Sequence, residues 1–319
     1  MKEKTKIAVV GYGRVGKAIC DIALTRDDFE LVGAFTRRSA ALPSVSGGVR
    51  LIPYGDVMKY ARDVDCLLLA HGSKSDAGAT AAALAAHFSV IDCYDDHKNA
   101  RSHTDTVGKI AKECKRAALL CVGWDPGLLS LARLYFSAFI DGAAMTTLWG
   151  PGMSLGHSEA LRAVDGVLDA IEITEPKPSA NALAREGVAL SAENAHRRVC
   201  YVHAKAGCEG GIIESVSLMD GYFKGYETEM HFVEEKALAA INNEEHRGRV
   251  IAAKRGKAGE FSALAELSLE TSSNPTLTAY AMLASVRPLL RLVKEERYGA
   301  YTVFDVPPAY FCNDPYGKL

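Results

Sequence analysis

Residues 6–24, KIAVVGYGRVGKAICDIAL, begin as a short apolar run and break at once into glycines. Ile7 to Val10 has the length and β-branched content of a buried strand. Gly11, Gly13 and Gly16 follow it as GxGxxG, and the chain then resumes as an amphipathic helix. In that context the glycines allow a tight turn, close approach of a pyrophosphate and close packing of helix on strand. Phosphate oxygens then meet the N–H groups of the helix start, which places Tyr12, Arg14 and Val15 beside the glycines at a dinucleotide.

Outward from this stretch, short apolar runs alternate with helical segments as far as about residue 125: FELVGAF, VDCLLLA, FSVIDCYD and AALLCVGWD. That alternation predicts successive βαβ units on a parallel sheet. Past about residue 145 the texture changes. TTLWG, RRVCYVHAK, YETEMHFV, GRVIAAKRG and FSALAELSLE read as strands with fewer helices between them, which suits a mixed or antiparallel sheet. Near the end, NPTLTAYAMLASVRPLLRLVKE reads as a long helix with a kink expected at Pro288, followed by a strand-like GAYTVFDV. The expected architecture is α/β. A Rossmann-type doubly wound parallel sheet spans 1–125 and is completed by 275–319, and a second α+β domain spans 126–274.

A chain of 319 residues is long enough for two cores. Its formal net charge of -2 leaves no basic field to hold nucleic acid or an anionic membrane surface. No apolar run approaches the ~18 residues of a membrane span. The N-terminus passes from charge straight into a strand, without a signal peptide's apolar region. The eight cysteines show no CxxC and read as buried free thiols in a reducing cytoplasm. The nine histidines show no HxxxH, so no metal site is expected.

The second strand, ELVGAF, ends in Thr36, Arg37 and Arg38. An acidic residue there would hold ribose hydroxyls, whereas two guanidiniums and a hydroxyl suit a 2′-phosphate, so the expected cofactor is NADP. Later loops fall at the same carboxyl edge of the sheet and should line the cofactor crevice. They are His71, Gly72, Ser73 and Lys74 of AHGSKSD, Cys93, Tyr94 and Asp95 of CYDDH, and Gly123, Trp124, Asp125, Pro126 and Gly127 of GWDPG. Either aspartate alone reads as a turn or cap residue, but Asp95 and Asp125 on neighbouring loops, one beside a tryptophan, favour a cation-binding pocket.

One further stretch, LWGPGMSLGHSEALR at 148–162, holds three glycines and a proline before an apparent helix. It has too many glycines for a strand, and the proline would break a helix. Two readings stand. Backbone N–H groups near Leu155 and Gly156 hold an anion at a positive helix end, or the segment is a turn capped by Ser154 or Ser158.

VVGYGRVG, FTRR, CYDDH, GWDPG, WGPGMSLGHSEALR and NPTLTA, in this order from about residue 5 to 305, resemble the meso-diaminopimelate dehydrogenase family. GWDPG and WGPGxSxGHS are the specific signals, and GxGxxG is not. The segment around 236–248 matches poorly. The resemblance implies NADP-dependent, reversible oxidative deamination of meso-2,6-diaminopimelate at its D-centre, in a cytoplasmic homodimer whose second domain binds substrate and dimerises. It implies that Asp95 and Asp125 meet the reacting amine, that one of them or a water they hold takes its proton, and that Trp149 walls the methylene chain. It also implies that Leu155 and Gly156 hold the carboxylate of the reacting end, and that Arg198, Thr174, His246 and Asn274 hold the distal end. Competing readings are another NADP-dependent amino-acid dehydrogenase, a dihydrodipicolinate reductase-like enzyme, and a non-catalytic NADP-binding regulator.

Overall fold

The computed structural model describes residues 4–37, 45–71, 77–241 and 244–318. They form two compact units, one of residues 1–131 and 275–319 and the other of residues 132–274.

Unit 1 begins with β1 (Thr5–Val10), α1 (Arg14–Leu24), β2 (Phe29–Thr36), β3 (Val45–Ser46) and β4 (Val49–Pro53). It continues with β5 (Cys66–Leu69), α2 (Ala77–Ala85), β6 (Val90–Asp92), α3 (Ala100–Glu113), β7 (Ala117–Leu119) and the start of α4 (Leu128–Phe139). The chain returns to it as α10 (Asn274–Lys294) and β15 (Gly299–Tyr301). Among the described residues the sheet runs β15-β7-β6-β5-β1-β2-β4-β3. Its pairs are parallel except β3 with β4. The order reverses between β1 and β5, the switch point at which such sheets bind ligands beyond their carboxyl ends.

Period-two alternation builds the two helical layers. Ile7, Val9, Cys66 and Leu68 pack with Ile19, Cys20 and Ala23 of α1 and with Met282, Val286 and Leu289 of α10. Ala8, Val10, Leu67 and Leu69 face the other way, onto Ala81 and Leu84 of α2 and Val107 and Ala111 of α3. Strands apolar on both faces are what a parallel sheet with two covered faces requires. Each fully buried Ile or Leu side chain contributes about 1.5–3 kcal/mol. On α1 the buried stripe is Gly16, Ile19, Cys20 and Ala23, the spacing of a single helical face.

Two sequence expectations change. The strand expected across GAYTVFDV is confined to β15. The cysteines are all free, but only Cys20, Cys66, Cys121 and Cys200 are buried, and Cys114 is exposed.

Unit 2 contains β8 (Ala144–Trp149), β9 (Gly152–Met153), α5 (Leu155–Arg162), β10 (Val167–Pro176), α6 (Ala180–Arg185) and α7 (Ala192–Ala195). There follow β11 (His196–Ala204), α8 (Glu209–Ser217), β12 (Glu227–Phe232), α9 (Glu235–Ile241), β13 (His246–Lys254) and β14 (Ala263–Thr271). One sheet runs β12-β11-β10-β9 and the other β14-β13-β8. The β11–β12 pair is parallel, and the remaining pairs of both sheets are antiparallel. The glycine-rich 148–162 stretch is therefore partly extended after all. Trp149 ends β8, and Gly152 and Met153 pair with Ile173 and Thr174 of β10.

Candidate active site

The three glycines after β1 sort by what a side chain would meet. Gly11 has φ +96, and a Cβ there would lie 2.8 Å from the Ala70 carbonyl oxygen at the end of β5. A Cβ at Gly16 would lie 1.9 Å from the Gly11 carbonyl oxygen, so only glycine lets α1 start this close to the turn. A Cβ at Gly13 would meet nothing within 4 Å. Gly13 is also the N-cap of α1 and offers no side-chain cap, and no acidic residue stands in the first turn. A bare, open helix start of this kind fits a phosphate.

At the end of β2, Thr36 is buried and Arg37 is exposed. The Arg37 guanidinium lies 4.7 Å from the Tyr54 ring centroid and its Nη2 donates to Thr80 Oγ1 at 3.3 Å. A stacked guanidinium loses less freedom on meeting an anion than a loose one. Arg38, Gly72, Ser73 and Lys74 lie outside the described residues; His71 is half-buried.

The loops bearing the two candidate aspartates are tied by a residue the sequence reading passed over. Asp92, the last residue of β6, is buried, and its Oδ1 accepts from the backbone N–H of Tyr94 at 3.2 Å and of Cys121 at 2.8 Å. Its own carbonyl accepts from Val122 N–H at 2.9 Å. His103 of α3 lies 2.6 Å from Oδ2 through Nε2 and stacks on Tyr94 with ring centroids 4.2 Å apart. Cys121 has φ +57, a conformation that side chains disfavour, and the Asp92 bond holds it there. Cys93 is half-buried and its thiol is pushed up, chiefly by burial. Asp95, two residues past Cys93, is exposed.

GWDPG is closed on itself. A Cβ on Gly127, at φ +138, would lie 1.7 Å from the Gly123 carbonyl oxygen, and Leu129 N–H donates to the Trp124 carbonyl at 2.8 Å. Asp125 stands half-exposed at the apex before a cis bond to Pro126, and its Oδ1 accepts from Ser130 Oγ at 3.4 Å. Trp124 itself is buried.

In unit 2 the glycine turn brings β8, β10 and β13 into contact. Gly150, at φ +93 before a cis bond to Pro151, abuts β10: a Cβ would lie 1.9 Å from the Thr174 carbonyl oxygen. A Cβ on Gly152 would lie 2.6 Å from His246 Cγ. Trp149 is half-buried, its N–H donates to His196 Nε2 at 2.9 Å, and the two ring centroids are 5.3 Å apart. His196 Nδ1 lies 2.8 Å from the Ala192 carbonyl. The acceptor at Nε2 fixes the tautomer with its proton on Nδ1, and burial lowers the pKa to about 4. The same cause lowers that of His246, whose Nδ1 lies 2.9 Å from the Arg247 carbonyl.

Helix α5 begins at Leu155 with Ser154 as N-cap, its hydroxyl accepting from His157 N–H at 3.4 Å. Ser158 turns back instead, donating to the Ser154 carbonyl at 2.7 Å. A Cβ on Gly156 would meet nothing within 4 Å. Both open readings of the stretch thus have a physical basis: a serine caps the turn, and the glycine beside it leaves open space.

Arg198 and Thr174 face each other across the β10–β11 register, and Arg198 is 6% exposed. Its Nη1 makes a short hydrogen bond to Thr174 Oγ1, and its guanidinium lies 4.1 Å from the Tyr226 ring centroid. Its Nε is buried without a hydrogen-bond partner among the described residues. Behind them lies Glu172, also missed from sequence. It is fully buried, 3.5 Å from Arg198 Nη1, and accepts from Thr174 Oγ1 at 2.9 Å. Burial pushes its pKa up to about 7, against the pull of Arg198 and Thr174. At the start of α10 the Asn274 N–H donates to the Glu244 carbonyl at 2.8 Å.

Residues 123–273 match the sequence model of the diaminopimelic acid dehydrogenase C-terminal domain. The meso-diaminopimelate D-dehydrogenase of Acetivibrio thermocellus is 36% identical over 97% of this chain and 94% of that protein. The Corynebacterium glutamicum enzyme of the same name is 35% identical over 95% of this chain and 94% of its own. The solved structure of C. glutamicum DAP dehydrogenase in complex with DAP superposes with TM-score 0.92 at 33% identity, covering 99% of this chain and 98% of that one. An engineered D-amino acid dehydrogenase bound to NADP+ gives TM-score 0.91 at 32% identity, with the same two coverages. Identity of this depth along nearly the whole chain, on the same fold, establishes that the protein belongs to the meso-diaminopimelate D-dehydrogenase family.

Proposed function

We infer that the protein oxidatively and reversibly deaminates meso-2,6-diaminopimelate at its D-centre, with NADP, to L-2-amino-6-oxopimelate and ammonia. The observation that carries this reading is family membership along 97% of the chain at 36% identity with an enzyme named for this substrate. The cofactor fits the residues present. The Gly11–Gly16 turn with its open Gly13 suits the pyrophosphate, and Arg37, stacked on Tyr54, suits the 2′-phosphate. NADP, when bound, supplies the hydride acceptor.

In our reading unit 1 binds the cofactor and unit 2 the substrate's carboxylates. Asp95 and Asp125 hold the ammonium at the reacting carbon, and one of them, or a water between them, removes a proton. Without that step the nitrogen has no lone pair with which to form the C=N bond as hydride leaves. Water then adds to the imine carbon and ammonia departs. Leu155 and Gly156 at the start of α5 receive the reacting end's carboxylate on backbone N–H groups, and Trp149 flanks the methylene chain. Arg198 and Thr174 take the distal carboxylate, with His246 and Asn274 beside them; the orphan Nε of Arg198 suits such an acceptor. Fixing the non-reacting end discriminates meso from LL substrate, because inverting one centre misplaces the other.

We further propose a cytoplasmic homodimer whose subunits meet through unit 2. All eight cysteines are free, which fits a reducing compartment, and the exposed, stacked Tyr135 and Phe139 of α4 supply apolar surface for a second copy. No helix among the described residues is long and apolar enough to cross a membrane. The direct test is NADPH absorbance on mixing purified protein, NADP and meso-diaminopimelate, with the LL isomer and NAD as controls. Equal rates with LL substrate, or none with meso, would refute the assignment.

A further inference from the structure

Glu172 is fully buried, and the reaction as read above gives it no task. An interior carboxylate is costly unless its partners compensate. Here those partners belong to the proposed anchor for the substrate's distal carboxylate. The β10–β11 register sets Thr174 opposite Arg198 and Glu172 opposite Cys200, so Glu172 and Thr174, two residues apart, share a face. The Glu172 carboxylate lies 2.9 and 3.2 Å from Thr174 Oγ1 and 3.5 Å from Arg198 Nη1. Its backbone is held as well: the N–H donates to Ser158 Oγ at 2.9 Å and the carbonyl accepts from Ser154 N–H at 3.1 Å. One residue thus braces both the Arg198 anchor and the turn that presents Leu155 and Gly156.

We propose that Glu172 is a positioning residue that sets the affinity of Arg198 for the substrate carboxylate: ionised, it competes for the guanidinium, and it takes up a proton when substrate binds. This rests on the reading that Arg198 holds a substrate carboxylate. Two carboxylates sharing one desolvated guanidinium leave an uncompensated negative charge, and like charges at such range raise the proton affinity of one of them. Burial already pushes the Glu172 carboxyl up to about 7, so the proton comes from solvent near neutral pH.

Burial lowers His196 to about 4 and raises the Cys200 thiol and the Tyr226 phenol, while Glu193, which acts on Arg198 and Tyr226, is lowered by its hydrogen bonds at the α7 start. Ser158 and Thr174 carry no charge. Above the titration of Glu172, substrate affinity should therefore fall about tenfold per pH unit, and below it should level off.

The test compares wild type with Glu172→Gln, which keeps the size and an acceptor for Thr174 but cannot ionise. At about pH 8 the variant should show a KM for meso-diaminopimelate about 10-fold below wild type with kcat little changed, and at about pH 6 the two KM values should converge. Titrating meso-diaminopimelate into the NADPH-loaded protein, in two buffers of different ionisation enthalpy, should count about one more proton taken up by wild type than by Glu172→Gln at pH 8. A wild-type count that does not rise from pH 6 to 8 overturns the proposal even if the variant fails to fold. Arg198→Met separates the two layers. If it leaves KM unchanged, the anchor itself is wrong; if it raises KM while Glu172→Gln keeps the wild-type pH profile, only the role of Glu172 is wrong.

Discussion

Two glycines four residues apart in the 148–162 turn should respond in opposite ways to an added side chain. At Gly156 a Cβ meets nothing within 4 Å, and valine is a slightly better helix former than glycine. Gly156→Val should therefore change stability by less than about 0.5 kcal/mol, or about 1–2 °C in Tm. If the backbone there receives the substrate carboxylate, the branched side chain fills that space. Losing charge-assisted hydrogen bonds costs about 1.5–3 kcal/mol, which is roughly a 10- to 150-fold rise in KM for diaminopimelate. NADP affinity should hold, since the phosphates are assigned to Gly11, Gly13 and Gly16. At Gly152 a Cβ would fall 2.6 Å from His246 Cγ and 2.8 Å from its Cα, so a backbone must shift. Gly152→Ala should lose about 1–3 kcal/mol, a drop of about 2–12 °C, before any kinetic effect is read. The assays are thermal melting, steady-state kinetics and NADP binding on both variants. A folded Gly156→Val with normal KM would reduce the turn to a structural role. Loss of NADP binding in it would mean the wrong ligand has been assigned.

Arg37→Ala should weaken NADP by roughly 10- to 150-fold and leave NAD nearly unaffected, as read from the ratio of their dissociation constants; an unchanged ratio there and in Arg38→Ala would send the 2′-phosphate elsewhere. Asp125→Asn should nearly abolish oxidation while NADP still binds, because an amide neither neutralises an ammonium nor takes its proton; a wild-type kcat/KM would shift the chemistry to Asp95. Buried His196, lowered from 6.5 to about 4, withdraws stability as pH falls through that interval, whereas Glu172, raised from 4.5 to about 7, withdraws it as pH rises through its own. The two slopes oppose each other between pH 4.5 and 6.5, so Glu172→Gln should unmask a rise of about 3 kcal/mol across that range in urea unfolding. Parallel curves for variant and wild type would contradict the Glu172 assignment, and a flat variant curve would contradict that of His196.

Much of the fold was legible because its signals are local. Ile7 to Val10 before GxGxxG needs only the neighbouring residues to read as strand, turn and helix, and the βαβ rhythm after it predicts the doubly wound parallel sheet that is observed. The strands of unit 2 could be read from apolar runs in the same way. The sequence also singled out Gly150 and Gly152 as abnormal, but not why: the reasons are the Thr174 carbonyl and the His246 ring, 24 and 94 positions away along the chain. For the same reason it missed that Gly152 and Met153 form a strand, since pairing with Ile173 and Thr174 overrides their weak local preference.

Asp92 and Glu172 were invisible for a related reason. An aspartate at a strand end reads as a turn residue, and a glutamate in LDAIEITEP reads as one more polar residue in an alternating strand. Only the fold puts His103 against Asp92 and sets β11 beside β10 in the register that joins Glu172 to Arg198 and Thr174. Residue type and spacing along the chain determine which segments extend or coil and which turns must be bare. Which charges end up buried together depends on strand register and helix placement, and these are decided by the packing of the whole core.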